Sequence, residues 1–456
     1  MSKNIQLVAA FNHAHIFIDP TPDVEKSYQE RQRLFNMPRT GWNDYNEDCI
    51  SEGGGVYSRK EKLITLSEKA VTHLGLEKTD WAPQDLIKEI LKLPVDLLWF
   101  GGIGTYIKDA SERHGEVADH ANDLLRIDGD QVKARVIGEG ANLGLTQKGR
   151  VACALLGTRL NRDSVDNAGG VHCSDYEVNI KILFQDVMKK KGVSLEERNT
   201  ILKEMTEDVA RLVLRSNADQ TLAISLEMVN GKEDLSSYVK VIRFLEKKHF
   251  MKRADEFLPT DDQFEQMMEK EQLLTRPEIA VLMSYIKLYL KEKLLQFPLE
   301  SLEGWQDILL SYFPEKLQTL YADMILCHPL RHEIVVTELV NRAVNQIGIG
   351  AAYDVFLNTK ENMAAVFSLY VSLSKCFSTA TFVRHIGAAE NDSQKCLTMF
   401  FAQFCKKCVK EKINLASEHQ PNSCRLEKSY LHGFYEEYKK KEVSGWQIVE
   451  PFLKHF

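Results

Sequence analysis

Residues 167–177, with the sequence Asn-Ala-Gly-Gly-Val-His-Cys-Ser-Asp-Tyr-Glu, constrain the fold more than any other segment of this chain. The run before them, residues 163–166, has the character of a short strand, and the apolar residues after them recur at helical spacing. Ser174 stands three residues before Glu177, which is the pattern of a capping box. The segment therefore predicts a strand, a glycine turn and a helix start, whose unpaired N–H groups attract a carboxylate or phosphate.

The pattern of apolar residues predicts two kinds of structure along the chain. Up to about residue 190, strand-like runs and helical periods alternate, which is typical of a mostly parallel sheet covered by helices. From about residue 193, long segments of 3.6-residue period follow one another, and the clearest has Thr275, Pro277 and Glu278 as its start signals. The predicted strands are 5–11, 95–100 and 134–137, and the predicted helices of the first part are 24–35, 85–93 and 146–157.

Charge and hydropathy exclude several classes of protein. The formal net charge is -7 with Lys and Arg spread along the chain, whereas nucleic-acid binding needs clustered positive charge. The sequence contains no run of about 18 apolar residues, so it predicts no membrane span. The N-terminus has no signal-peptide core. The nine cysteines are an odd, scattered set, which favours reduced thiols and a cytoplasmic location.

Two short glycine motifs could belong to a dinucleotide site. Gly102-x-Gly104 and Gly138-x-Gly140 each follow a predicted strand. Both lack the third glycine and the clean helix start of the full G-x-G-x-x-G fingerprint. Taken alone, each is better interpreted as an ordinary loop.

Five segments resemble those of the glutamate dehydrogenase family, in particular its large NAD-specific bacterial members. They are residues 96–106, 138–142, 167–177, 274–282 and 328–334. The resemblance implies oxidative deamination of L-glutamate to 2-oxoglutarate and ammonia, with NAD as cofactor. It also implies that this chain is a C-terminal portion of such an enzyme.

The fold class that follows is α/β followed by all-α. By resemblance, residues 1–192 form a partial NAD-binding domain, an incomplete Rossmann-like doubly wound sheet, and residues 193–456 form a helical C-terminal domain. Residues 5–11 resemble the second strand of the nucleotide fold. The first strand and its glycine turn would then precede residue 1.

The resemblance assigns cofactor contacts to Asn12, Gly101, Gly102, Thr105, Asn142 and Asn167. Asn12 stands where the family usually has an acid that binds the adenosine ribose, so the preference for NAD over NADP rests on the resemblance alone. Asn142 and Asn167 would lie near the nicotinamide end. Asn167 is otherwise a turn residue before glycine.

Substrate contacts are assigned to Val171 and Ser174. The resemblance implies that Ser174 binds the side-chain carboxylate of the substrate and that Val171 shapes the pocket. The alternative for Ser174 is a helix cap, and the two roles are compatible at a helix start. Glutamate oxidation also needs a lysine and an acid for proton transfer. The family carries them in a domain that no segment here resembles, so no catalytic residue is assigned.

A possible metal cluster near the C-terminus is a weak signal. Cys405, Cys408, His419 and Cys424 have tolerable zinc spacing. However, residues 399–412 have a helical pattern, in which cysteines three apart are commonly plain thiols, and no metal is assigned.

The expected partners are L-glutamate or 2-oxoglutarate as the small-molecule substrate, and either a homo-oligomer or a chain that carries the catalytic domain. No nucleic acid or membrane partner is expected. The alternative function is a non-catalytic remnant or interaction subunit built on the helical domain.

Overall fold

The computed structural model describes residues 2–359 and 362–376. The chain divides into two compact units, with the division between Asn167 and Ala168. In the described residues the first unit combines strands with helices and the second is helical. The predicted order, α/β and then all-α, is confirmed at that level.

The division between the units lies before the helix Ala168–Lys191, whereas the sequence prediction put it after that helix. The physical reason is packing. This helix lies against two other helices of the second unit, Thr206–Lys247 and Glu315–Leu326, so it belongs to their core.

The described strands of the first unit form four small sheets rather than one doubly wound sheet. In chain order they are β1 (Ala9–Phe11), β2 (His15–Ile18), β3 (Gly55–Ser58), β4 (Ile64–Thr65), β5 (Asp80–Trp81), β6 (Leu97–Phe100), β7 (Ile107–Lys108), β8 (Ile127–Asp128) and β9 (Val136–Glu139). The sheets β1–β2–β3 and β4–β5 are antiparallel. The pairs β6–β9 and β7–β8 are parallel.

The prediction that residues 5–11 form a strand of a parallel sheet is wrong. Only Ala9–Phe11 is extended, and it runs antiparallel to β2. The cause lies at Asn12, whose side-chain oxygen accepts the N–H groups of Ala14 and His15, both at 2.8 Å. This Asx turn reverses the chain into a hairpin.

The first unit contains five α-helices in its described residues. They are α1 (Val24–Asn36), α2 (Glu68–Leu74), α3 (Pro83–Leu91), α4 (Gln147–Leu155) and α5 (Asp163–Asp166). Three of them, α1, α3 and α4, confirm predicted helices. Helix α3 has proline in its first turn and buries one apolar face in the core of the unit. Other members of that core are Ile16, Ile64, Ile107, Ile127 and Ile137.

Helix α5 replaces the strand that the sequence predicted at residues 163–166. The N–H of Asn167 donates to the carbonyl of Asp163 at 2.9 Å, which closes a helical turn. The carboxylate of Asp166 accepts the N–H of Glu139, the last residue of β9, and that of Asp163 accepts the N–H of Leu143 in the loop after β9. Both aspartates are therefore held through their side chains rather than by a strand ladder.

The described helices of the second unit follow one another with short connections. They are α6 (Ala168–Lys191), α7 (Leu195–Glu204), α8 (Thr206–Lys247), α9 (Asp261–Glu269), α10 (Arg276–Leu294), α11 (Trp305–Tyr312), α12 (Glu315–Leu326), α13 (Arg331–Ile347), α14 (Ile349–Ala352) and α15 (Met363–Cys376). Helix α10 packs against α8 and α13.

The start of α10 confirms the capping prediction. Thr275 is the N-cap residue, and both its N–H and its hydroxyl donate to the Glu278 carboxylate, at 2.7 and 2.5 Å. The apolar stripe predicted for this helix is buried, including Ile279, Leu282 and Leu290.

Candidate functional site

The parallel pair β6–β9 brings the two glycine loops together at the carboxyl end of the two strands. Trp99 pairs with Gly138 and Phe100 pairs with Glu139. The loop that contains Gly101 follows β6, and the loop that contains Asn142 follows β9. The carboxyl ends of parallel strands are where open α/β sheets bind ligands.

Hydrogen bonds join the two loops to each other. The hydroxyl of Thr105 donates to the carbonyl of Leu143 at 2.7 Å, and the N–H of Tyr106 donates to the carbonyl of Gly144 at 2.9 Å. The N–H of Thr105 donates to Asp119 at 2.7 Å. Thr105 is buried, so this predicted cofactor residue fixes the loop and does not face solvent.

Gly101 and Gly102 are exposed on the first loop. A side chain at Gly102 would meet no atom within 4 Å. Gly104 has a φ of 121°, a conformation that suits glycine. The loop continues into strand β7 rather than into a helix, so it lacks the helix N-terminus that binds a pyrophosphate.

The other glycine motif has a structural explanation. The indole of Trp99 lies against Gly138 and Gly140, and an added Cβ at either position would collide with the ring. The spacing Gly138-x-Gly140 thus accommodates the aromatic ring on the neighbouring strand. It does not require a ligand.

A buried ionic cluster supports the loop after β9. The guanidinium of Arg150 donates to both carboxylate oxygens of Glu139, at 2.7 and 2.8 Å, and lies 3.3 Å from Asp163. Glu139 also accepts the N–H of Leu145 at 3.2 Å, and Asp163 accepts that of Leu143 at 2.9 Å. Four chain segments are thereby fixed around one guanidinium.

Burial and charge pairing shift the pKa values of Arg150 and Glu139 in opposite directions. Burial alone lowers the pKa of Arg150, but the hydrogen bonds and charge of Glu139, with Asp163, outweigh it and raise that pKa. Burial raises the pKa of Glu139, and the guanidinium opposes that rise. The two short hydrogen bonds favour the ionised pair. Sequence reasoning missed this cluster because no local spacing connects its members.

The structure brings Asn142 and Asn167 together near the carboxyl end of β9. The side-chain amide of Asn167 donates to the side-chain oxygen of Asn142. Asn142 is exposed and Asn167 is half-buried. Two of the six predicted cofactor residues therefore present neighbouring amides beside the glycine loops.

Asn12 does not fit its predicted position. It lies in the β1–β2 turn, where its side-chain oxygen holds Ala14 and His15 and its carbonyl accepts Arg59 at 2.8 Å. The prediction required the carboxyl end of a parallel strand, and Asn12 follows an antiparallel one.

The sequence predicts a glycine turn followed by a helix whose start Ser174 caps, and this prediction is wrong. Helix α6 begins at Ala168 and runs through both glycines, so Ser174 lies inside the helix and is exposed. The N–H of Glu177 is then bonded within the helix and needs no cap. The Glu177 side chain pairs with Lys181 instead.

One face of α6 is exposed along the predicted substrate residues. Val171 and Val178 are 69% and 49% exposed, and Ser174 and Asp175 lie between them, both also exposed. Residues at this spacing share a helix face. The face therefore combines apolar, hydroxyl and carboxylate groups.

The Asp175 carboxylate on this face is held in position by Tyr312 of α11. The hydroxyl of Tyr312 donates to Asp175 at 2.9 Å, and the side-chain amide of Asn179 donates to that hydroxyl at 2.8 Å. The rings of Tyr312 and Tyr176 stack with centroids 4.7 Å apart. Sequence reasoning missed Tyr312 because it is distant along the chain.

Metal and membrane signals can be judged only for the part of the chain that the structure describes. There, no group of three or more His, Cys, Asp or Glu side chains is placed to hold a metal ion. Residues 405, 408, 419 and 424, the possible zinc set, lie outside the described residues. No described helix combines the length and the apolar character that crossing a bilayer requires.

Two family matches cover most of the chain. Residues 1–227 match the family described as bacterial NAD-glutamate dehydrogenase, catalytic domain. Residues 271–426 match the family described as glutamate dehydrogenase, C-terminal.

Curated relatives give the same result. NAD-specific glutamate dehydrogenases of Pseudomonas aeruginosa, Halomonas elongata and Mycobacterium tuberculosis are 43%, 41% and 42% identical over 386, 391 and 395 residues. These alignments cover 85%, 86% and 85% of this chain but 24% of each relative. The chain thus spans about a quarter of the length of the relatives it matches.

Proposed function

We propose that this chain, which is similar to bacterial NAD-glutamate dehydrogenases, supplies part of the cofactor and substrate sites of such an enzyme. The reaction is oxidation of L-glutamate to 2-oxoglutarate and ammonia. NAD is the hydride acceptor. The observation that supports this proposal most directly is the hydrogen-bonded pair of side-chain amides, Asn142 in the loop after β9 and Asn167 directly after α5.

The residues present fit the nicotinamide end of the cofactor. Side-chain amides offer both donors and acceptors, which suits a carboxamide or ribose hydroxyls. Gly102 leaves open space on the neighbouring loop. The described loops lack the glycine turn and helix N-terminus for the pyrophosphate, so the Rossmann-like character of this unit is proposed on β6 and β9 alone.

Helix α6 carries the residues that we propose contact the substrate. The hydroxyl of Ser174 is not used as a cap, so it can donate to the side-chain carboxylate of glutamate. Val171, exposed on the same face, would form an apolar wall of that pocket. Tyr312 would keep the neighbouring Asp175 carboxylate in a fixed orientation.

The lysine and acid that the chemistry needs would come from the three quarters of the relatives that this chain does not cover. We therefore propose that the chain works with a polypeptide that carries them, or within a homo-oligomer that includes them, in the cytoplasm. The second candidate function is an interaction subunit. Its supporting observation is that the helical unit has its own large buried core.

Binding of NAD to the purified chain tests the cofactor proposal. In saturation-transfer NMR, we expect Asn142→Ala to weaken NAD about 3- to 10-fold, because a hydrogen bond contributes ~0.5–1.5 kcal/mol. Asn43→Ala is the matched control, since Asn43 is an exposed asparagine of the same unit. Equal NAD signals from both variants would contradict the assignment of Asn142.

A further inference from the structure

Leu143, in the loop between β9 and α4, has a backbone conformation that is unusual for a leucine. Its φ is 60°, in the left-handed region where the Cβ of a side chain crowds the following carbonyl oxygen. Bulky residues are rarely found there. Such a residue persists only where the surrounding structure forces the conformation, and residues of this kind cluster at binding and catalytic sites.

Hydrogen bonds on both sides of Leu143 hold that conformation. Its N–H donates to Asp163 at 2.9 Å, and its carbonyl accepts the hydroxyl of Thr105 at 2.7 Å. The carbonyl of the next residue, Gly144, accepts the N–H of Tyr106 at 2.9 Å. Three hydrogen bonds to two separate segments of the chain therefore fix the loop at this residue.

The fixed backbone holds the Leu143 side chain in solvent. The residue is 61% exposed, so burial in the core does not offset the cost of its backbone conformation. Leu143 directly follows Asn142, whose side chain is hydrogen-bonded to that of Asn167. An exposed apolar side chain and a pair of amides are thus neighbours in the candidate cofactor site.

We propose that Leu143 packs against one face of the nicotinamide ring, while the amides of Asn142 and Asn167 hydrogen-bond its carboxamide. A nicotinamide has two apolar ring faces and a polar carboxamide at its rim. A leucine beside two amides matches that distribution, because amides offer both donors and acceptors and apolar side chains line most of the surface of a ligand site. This inference rests on the proposed function, since it adds one contact to the same site.

An apolar contact on the ring face also distinguishes the two oxidation states of the cofactor. The nicotinamide ring is a cation in NAD and is neutral in NADH. The Leu143 side chain excludes water from the ring and supplies neither a charge nor a hydrogen bond, and removing water from a charged group costs more than removing it from a neutral one. Leu143 therefore favours the reduced cofactor.

Saturation-transfer NMR on the purified chain, with NAD and with NADH as the probes, tests the contact. Irradiation of the protein methyl groups should saturate the nicotinamide protons, and this signal should fall in Leu143→Ala. We expect Leu143→Ala to weaken NADH about 5- to 10-fold and NAD about 2- to 3-fold, as for loss of part of a buried leucine contact.

The backbone conformation gives a second measurement that needs no ligand. Leu143→Gly relieves the left-handed strain and should raise the melting temperature by about 1–4 °C, while it weakens NADH as Leu143→Ala does. Leu143→Ala keeps the strain and should bring no such rise. Arg39→Gly is the control, because Arg39 is exposed in the same unit with a φ of 57°. Arg39→Gly should gain similar stability and leave NADH affinity unchanged.

Unchanged NADH affinity in both Leu143 variants would overturn the proposal, since cover of this leucine by another segment of polypeptide predicts that result. A loss in Leu143→Gly that Leu143→Ala does not share would also overturn it, because loop rigidity rather than the side chain would then matter. Equal losses for NAD and NADH would refute the preference for the reduced ring.

The same measurements separate this inference from the proposed function. If Asn142→Ala weakens NAD and the Leu143 variants weaken neither form, only the Leu143 contact is refuted. An unaltered chain that gives no saturation transfer with NAD or NADH refutes the cofactor assignment and this inference together.

Discussion

Ser174 is an exposed residue inside helix α6. It therefore does not cap the helix, and the contact with the substrate carboxylate is the predicted role that remains to be tested. When the rest of the polypeptide is supplied, we expect Ser174→Ala to weaken glutamate about 10-fold or more, because a hydrogen bond to a charged group is worth ~1.5–3 kcal/mol. Affinity for NAD and the melting temperature should not change, since no cap is lost. Cys173→Ala, at the neighbouring exposed position, is the control. An equal loss for both ligands would refute the substrate role.

Lys287 on α10 gives a pH-dependent prediction. Desolvation lowers its pKa to about 8, and its amine donates to Asn345 at 2.7 Å. The unfolded lysine, with a pKa of ~10.4, binds more protons between about pH 8 and pH 10.4. Stability therefore rises with pH across that window, and the penalty is fully present below pH 8.

Lys287→Met should remove this penalty. We expect about 1–2 kcal/mol of added stability at pH 7, after allowing for partial solvent screening, and a smaller gain at pH 10. Urea unfolding at both pH values measures it. Lys240→Met, at an exposed position of α8, corrects for the general effect of losing a lysine. A gain that is the same at both pH values would contradict the role assigned to the Lys287 amine.

At the scale of the element, the starts of α10 and α9 differ in burial and in the side chain that accepts the N-cap N–H, Glu278 in α10 and Gln263 in α9. Glu278 and Thr275 are buried, whereas Thr260 and Gln263 make the same kind of pair in solvent. Glu278→Ala leaves the Thr275 N–H and hydroxyl without partners, which should cost about 2–4 kcal/mol at ~1–3 kcal/mol for each group. Gln263→Ala should cost less than about 1 kcal/mol. Similar losses in chemical unfolding would mean that water reaches Thr275.

Elements with local signals could be predicted from the sequence. Helix α3 has a proline in its first turn and an apolar face, and α10 has a capping pair and an apolar stripe. The strand at 5–11 was misread because an apolar run does not reveal the direction in which a strand pairs. A single Asx turn at Asn12 decides it. The start of α6 was misread because Ser-x-x-Glu also occurs inside helices, where it is only an i,i+3 spacing.

In the candidate site, too, the sequence predicts local features but not contacts between distant segments. The two glycine loops follow from the order of strands and loops, which the sequence carries, whereas the roles of Asn142 and Asn167 come from the resemblance. The salt bridge of Glu139 with Arg150 and the contact of Asp175 with Tyr312 do not. Their partners come from different elements, so only the folded chain brings them together.

At the scale of the whole molecule, each of the two units has buried apolar residues of its own. The strand near residue 10 is paired with β2, and the first unit has a core of its own. In the described residues, β6 pairs only with β9, and Leu97, Trp99 and Val136 of that pair are exposed.

The purified chain alone should show no glutamate dehydrogenase activity. It spans about a quarter of its relatives, and the proposed lysine and acid lie in the remainder. Positioned proton-transfer groups typically contribute ~10²–10⁴-fold each, so their absence leaves no measurable rate even if NAD binds. The measurement is glutamate-dependent NADH absorbance against a heat-killed control, with and without the uncovered part of the Pseudomonas aeruginosa relative. Activity that appears only in the complex fits the proposed division of the site. A glutamate-dependent rise from the chain alone would mean that it carries its own proton-transfer groups, and the assignment of those groups to another segment would be wrong.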